Sequence, residues 1–151
     1  MKILLDIDGV MIPARSWQSH QIDSDGFGMF SKFSIVGLNK IISSARSSEI
    51  VLTTSHKHAF SLSKWEDIFS KRGIKKVKID RLPTDSLQVS RIEEIRTWYL
   101  KNQNEPFIIL DDDKGLNDFD SNFKKNHLVL TQPTIGLNSL TVDEAIRKIQ
   151  Y

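Results

Sequence analysis

Two aspartates one residue apart, Asp6 and Asp8, follow the apolar run Ile3-Leu4-Leu5 and precede Gly9. Alternate side chains of an extended segment share a face. Two carboxylates so placed repel unless a cation or a proton lies between them. Gly9 lets the backbone turn sharply and approach a ligand. The competing reading makes Asp6 a loop start and Asp8 a helix N-cap. A second acidic group, Asp111-Asp112-Asp113, ends the apolar run Phe107-Ile108-Ile109-Leu110. Three consecutive acids are costly without a cation. Oxygen ligands alone point to Mg²⁺, and the alternative is an acidic loop. Between these groups, Thr53-Thr54-Ser55-His56-Lys57 follows Ile50-Val51-Leu52. Hydroxyls at a strand's end with a helix behind them suit an oxyanion. They equally suit helix capping.

Short continuous apolar runs suggest strands buried on both faces, as in a parallel sheet, where ligands bind beyond the carboxyl ends. The runs at 3–5, 50–52 and 107–110 fit, and His127–Thr131 gives a fifth strand. Ile74–Ile79 alternates in part and predicts a third strand at or near a sheet edge. Lys71, Arg72, Lys75, Lys76, Lys78 and Arg81 cluster around it, as lysine protection of an edge or as a phosphate-backbone patch. Helical spacing covers Ile35–Ala45, Leu62–Phe69 with a stop at Gly73, and Ile92–Tyr99 behind the capping box Ser90–Glu93. A second capping box, Thr141–Glu144, predicts the start of a last helix. Arg91 falls in a first helical turn, where a cation opposes the helix dipole. It is either a surface residue or a phosphate partner. Residues 11–33, with Trp17, His20 and three phenylalanines, read as a loop or flap over the site. Strands alternating with helices predict a three-layer α/β/α Rossmann-like parallel sheet of about five strands in one domain, 1–151.

Composition narrows the class. The 151 residues are 39% hydrophobic and 26% charged, with a net charge of +2, as in soluble globular proteins. A charge this small does not by itself argue for nucleic acid. The absence of cysteine excludes disulfides, thiolate zinc sites and a cysteine nucleophile. No apolar run approaches 18 residues, so no membrane span is expected. The N-terminus does not read as a signal peptide, and a cytoplasmic location is expected.

The three segments, Asp6-Ile7-Asp8-Gly9-Val10, Val51-Leu52-Thr53-Thr54 and Ile108-Ile109-Leu110-Asp111-Asp112, occur in that order, each at a strand's end. The set resembles the haloacid dehalogenase (HAD) superfamily of phosphohydrolases over essentially the whole chain. Thr54-Ser55-His56-Lys57, Arg91-Ile92-Glu93-Glu94-Ile95 with Trp98, Leu110-Asp111-Asp112-Asp113 and Gly136-Leu137 look like the small HAD-like domains that include those of bacterial RNA-repair proteins. The resemblance implies that Asp6 is a nucleophile forming an aspartyl-phosphate and that Asp8 is the general acid–base. Mg²⁺ would be held by Asp6, the Asp8 carbonyl, Asp111 and Asp112. Gly9 and Thr54 (or Thr53) would meet the phosphoryl group. The family's third motif is usually lysine; here Arg91 is best placed, with Lys57 able to assist.

Thr54 lies 46 positions after Asp8, part of them a core helix, so no large cap domain fits. Capless relatives resemble enzymes open to bulky substrates: a nucleic-acid end, a nucleotide or a phosphoprotein. The oligomeric state is not legible. Three rivals follow. A receiver-like signalling domain is disfavoured because Thr54 precedes Asp111-Asp112 and no lysine ends the fifth strand. A HAD-fold module that binds Mg²⁺ or phosphate without turnover is kept alive by Arg91. A metal-dependent nuclease is the third.

Overall fold

A computed structural model describes residues 1–15, 21–83 and 88–150; Trp17 and His20 lie outside the described residues. Five parallel strands form one sheet: β1 (Lys2–Leu5), β2 (Glu49–Leu52), β3 (Lys78–Arg81), β4 (Phe107–Asp111) and β5 (Leu128–Leu130), in the order β3-β2-β1-β4-β5. Helices α1 (Lys32–Ser44), α2 (Leu62–Lys71), α3 (Arg91–Lys101), α4 (Ser121–His127) and α5 (Ser139–Gln150) connect them. A short 3-10 helix spans Lys114–Asp118.

Alternation along the strands separates two cores. Ile3, Leu5, Ile50, Leu52, Ile108 and Leu110 face α1, α2 and α5. Leu4, Val51 and Ile109 face α3, α4 and the 3-10 helix. The sheet is therefore sandwiched between helical layers, which is why its central strands carry no polar face. No large cap domain interrupts it among the described residues.

Three boundaries differ from the sequence reading. The third strand is indeed an edge, but it starts at Lys78 and runs through Asp80 and Arg81; Ile74–Val77 leads into it. His127 ends α4 and only Leu128–Leu130 is strand. Helix α5 starts two residues before the expected box: the Asn138 side chain accepts from the Thr141 N–H at 3.1 Å, and Glu144 instead pairs with Lys148 at 2.8 Å.

The segment 21–31 is more than an overhanging loop. Ile22 and Gly28 bridge antiparallel in a hairpin, and Met29 N–H donates to the Gln21 carbonyl at 2.9 Å. Phe27 and Phe30 join the core of the α1–α2 side. Arg72 closes this hairpin down. It is not part of a surface basic cluster: it is 7% exposed, ion-paired with Asp25 at 2.6 Å and donating to the carbonyls of Phe27, Gly28 and Ile68. Three other bases of that cluster also have local partners. Lys78 pairs with Glu49, Lys75 meets Ser43, and Arg81 donates to the carbonyls of Lys57 and Phe60.

Candidate active site

Asp6 follows the central strand, so both neighbouring strands fix it. Its N–H donates to the Leu110 carbonyl at 3.0 Å, and the N–H of Thr53 donates to the Leu5 carbonyl at 2.9 Å. Asp6, Thr53 and Asp111 thus stand abreast at the carboxyl ends of three adjacent strands. All three meet one guanidinium. Arg91 Nη1 lies 2.6 Å from Asp111 Oδ2, 3.5 Å from Asp6 Oδ2 and 3.5 Å from Thr53 Oγ1. The unfavourable place of Arg91 in the first turn of α3 is explained by these carboxylates, whose attraction outweighs the dipole. They hold its pKa above the ordinary arginine value against the opposing effect of burial.

One guanidinium does not balance the acids. Asp6 is 6% exposed and Asp111 fully buried. Burial raises both pKa values to about 6; Arg91 opposes the rise, and repulsion from neighbouring aspartates adds to it, from Asp112 and Asp8 at Asp6 and from Asp6 at Asp111. Asp112 is also raised, by burial and by Asp111. Oxygens of Asp6, Asp111 and Asp112 lie within 4.8 Å of one another. Three carboxylates in so small a volume, each reluctant to ionise, are a donor set that fits a hard divalent cation such as Mg²⁺. Asp113 does not join them. Its N–H donates to Asp111 Oδ1 at 2.9 Å, and its side chain caps the 3-10 helix through the Gly115 N–H.

Gly9 makes the site compact. At φ +78° it occupies the left-handed region, and a Cβ there would lie 2.1 Å from Asp112 Oδ2. Asp112 therefore rests against bare backbone. The turn itself is tight: the N–H groups of Val10, Met11 and Ile12 all reach the Ile7 carbonyl at 2.8–3.1 Å. Thr131 Oγ1 donates to the Gly9 carbonyl at 2.7 Å. Gly136 allows a similar close approach, since its Cβ would fall 2.6 Å from the Val10 carbonyl oxygen.

The remaining candidates are placed differently from one another. The Asp8 carboxylate is outside the three-acid cluster; it points to His56, with Oδ2 2.9 Å from Nε2, and both side chains are about half exposed. Thr54 is buried, and its Oγ1 accepts from the His56 N–H at 3.3 Å. No helix begins here: residues 54–60 form turns, and α2 starts only at Leu62 behind the cap Ser61. A helix N-terminus is thus not what serves an oxyanion at 53–57. Lys57 is fully buried, with Nζ 3.0 Å from Glu94 Oε1, and Glu94 Oε2 lies 3.9 Å from Arg91 Nε. Lys57 therefore reaches the site through Glu94 and Arg91. His56 and Glu94 both fall within the sequence motifs; what the sequence hides is their partners, 48 positions away in the case of His56 and Asp8.

Residues 2–142 match the family described as the HAD domain in Swiss Army Knife RNA repair proteins. The chain belongs to this family. The HAD domain so defined extends from β1 into α5 and contains every residue of the cluster. It brings the chain into a class of phosphohydrolase-type folds that generally use Mg²⁺. No curated protein and no solved structure matches the chain significantly. Among the described residues of this HAD domain, no helix is long and apolar enough to cross a membrane.

Proposed function

We propose that the chain is a Mg²⁺-dependent phosphatase that cleaves a bulky phosphomonoester through an aspartyl-phosphate on Asp6. The observation that carries this reading is the Asp6 carboxylate, held on the central strand among two further acids and against Arg91. Asp6 attacks phosphorus as the bond to the leaving oxygen breaks, and Asp8, as a carboxylic acid, gives that oxygen its proton. An alcohol departs and the phosphoryl group remains on Asp6. Asp8, now a carboxylate, takes a proton from water; the hydroxide attacks phosphorus, the bond to Asp6 breaks, and inorganic phosphate leaves. Splitting the transfer in two lowers each barrier, and one residue serves as acid and then base.

Arg91 and the hydroxyl of Thr53 or Thr54 meet the phosphoryl oxygens, and Lys57 acts from behind through Glu94. Gly9 gives the phosphoryl group access along bare backbone. Mg²⁺, held by Asp6, Asp111, Asp112 and the Asp8 peptide carbonyl, would neutralise charge on the transferring group. The substrate class we infer is a nucleic-acid end bearing a terminal phosphate. The repair proteins in the family's description and the absence of a large cap among the described residues support it.

The test is Mg²⁺-dependent phosphate release from p-nitrophenyl phosphate and from 3′- and 5′-phosphorylated oligonucleotides, wild type beside Asp6→Asn. Release by the wild type alone is expected. Phosphate-dependent thermal stabilisation without release would instead support a non-hydrolytic binding module. Cleavage of internal phosphodiester bonds would support a nuclease.

A further inference from the structure

Asp8 does not stand free at the edge of the site. Its Oδ2 lies 2.9 Å from His56 Nε2. With Nε2 as donor, Oδ1 is left to carry the proton toward a leaving oxygen. We propose that His56 is a positioning residue for Asp8, and that the 21–29 hairpin holds His56 in place; the inference rests on the phosphatase reading above.

His56 is fixed from two sides. Its backbone N–H donates to Thr54 Oγ1 at 3.3 Å, which ties the main chain that carries the ring to the turn just beyond β2. Its ring meets Phe27 edge-on, with centroids 5.7 Å apart and planes at 79°. Phe27 packs edge-on against Phe60 and Trp65 at 5.8 and 5.1 Å. Its backbone is also pinned: the N–H donates to Asp25 Oδ1 at 3.0 Å, and the carbonyl accepts from Arg72 Nη2 at 3.0 Å. A continuous set of contacts therefore runs from the buried Arg72–Asp25 pair through Phe27 and His56 to the Asp8 carboxylate.

The pair is suited to orientation more than to stability. Both side chains are about half exposed, and an exposed polar pair of this kind adds little to folding. Exposure is what an acid needs in order to reach a bulky leaving group. A proton donor misplaced by about 1 Å can lose about 100-fold in rate. The hairpin thereby fills the core and also sets the aim of the general acid.

The leaving group separates this role from a merely structural one. A p-nitrophenolate departs without protonation, whereas an alkoxide such as a nucleoside 3′-oxygen needs the acid. The ratio kcat/KM, which reports formation of the phosphoenzyme, is measured on p-nitrophenyl phosphate and on a 3′-phosphorylated oligonucleotide for the wild type, His56→Ala, His56→Gln and Phe27→Leu. In His56→Ala, the alkyl-to-aryl ratio of kcat/KM is expected to fall by about 10- to 100-fold. His56→Gln, which keeps a side-chain N–H donor, should recover most of it. Phe27→Leu should lower the ratio by a smaller factor with unchanged Mg²⁺-dependent thermal stabilisation. Equal losses on the two substrates, or no loss in His56→Ala, would overturn the role of His56 while leaving the phosphatase reading intact. A wild type inactive on both substrates would overturn the phosphatase reading, and this inference with it.

Discussion

Two arginines, the buried Arg72 and the partly buried Arg91, sit in opposite electrostatic conditions. Arg72 is satisfied. It holds Asp25 through two hydrogen bonds of 2.6 and 3.0 Å, donates to three carbonyls, and lies over the Phe30 ring at 5.0 Å. The arginine contact holds Asp25 well below the usual carboxylate range, at about 2. Arg91 is outnumbered. It faces Asp6 and Asp111 with Glu94 beside it, its Nε lacks a hydrogen-bond partner among the described residues, and the two aspartates are pushed up to about 6. A completed ion pair fastens a hairpin. An acid-rich one is short of positive charge, which a bound cation would supply.

Matched substitutions give the largest contrast. Asp6→Asn should reduce phosphate release to background, yet raise the Tm of the metal-free protein, because it removes a charge the fold disfavours. Asp25→Asn should lower the Tm and cost about 1.5–3 kcal/mol, the worth of a charge-assisted hydrogen bond. Both are read by calorimetry beside the phosphate assay. Tm shifts of the same sign in both would end the distinction.

Truncating the arginines should separate them next. Arg72→Ala leaves Asp25 without its partner, and urea denaturation should show a loss of about 3–5 kcal/mol. Arg91→Ala should cost less stability, about 1–2 kcal/mol, because its aspartates can protonate; its main effect should fall on turnover. A larger stability loss at Arg91 than at Arg72 would reverse the assignment of which pair is structural.

Gly9→Ala tests the cradle itself. A methyl group within 2.1 Å of Asp112 Oδ2 must displace that carboxylate, so the Mg²⁺-induced rise in Tm should shrink sharply. An undiminished rise would remove Asp112 from the cation site.

The smallest effect is in pH. Asp6 and Asp111 have raised values, so their protonated forms favour the fold; that contribution is present below about 4 and lost as pH climbs through about 6. Asp25 has a lowered value, so its contribution is present above about 4 and lost as pH falls through about 2. Metal-free protein should therefore be most stable near pH 4–5, by thermal melts across pH 2–8. Mg²⁺ should lift the high-pH arm by about 2.7 kcal/mol at a hundredfold excess over Kd. A flat high-pH arm without metal would contradict the charge imbalance around Arg91.

Much of the sheet was legible because residues 3–5, 50–52 and 107–110 are buried on both faces of the sheet and are apolar throughout. The edge strand was harder: Asp80 and Arg81 belong to it, and an edge tolerates charge. Helix α4 and the 3-10 helix went unread, although Leu116, Phe119 and Phe123 repeat at three and four residues and all reach the core. At the site, the strand-end acids were visible as types and spacing. Their division of labour was not, because Asp111, Asp112 and Asp113 differ only in where β4 points them. Arg72 looked like one more surface base: its partner Asp25 is 47 positions away, and nothing local marks the pair.

The sheet order has a consequence for dynamics. β1 is hydrogen-bonded to β2 on one side and β4 on the other, so the backbone carrying Asp6 has no edge from which to fray. Its amide protons should exchange with solvent only through global unfolding. The residue proposed to react with substrate then sits in the slowest-exchanging part of the molecule, while Asp8 and His56 lie at its more open margin. Occupancy of the carboxylate cluster should accordingly slow exchange across the whole sheet, rather than in a local patch around the ligand.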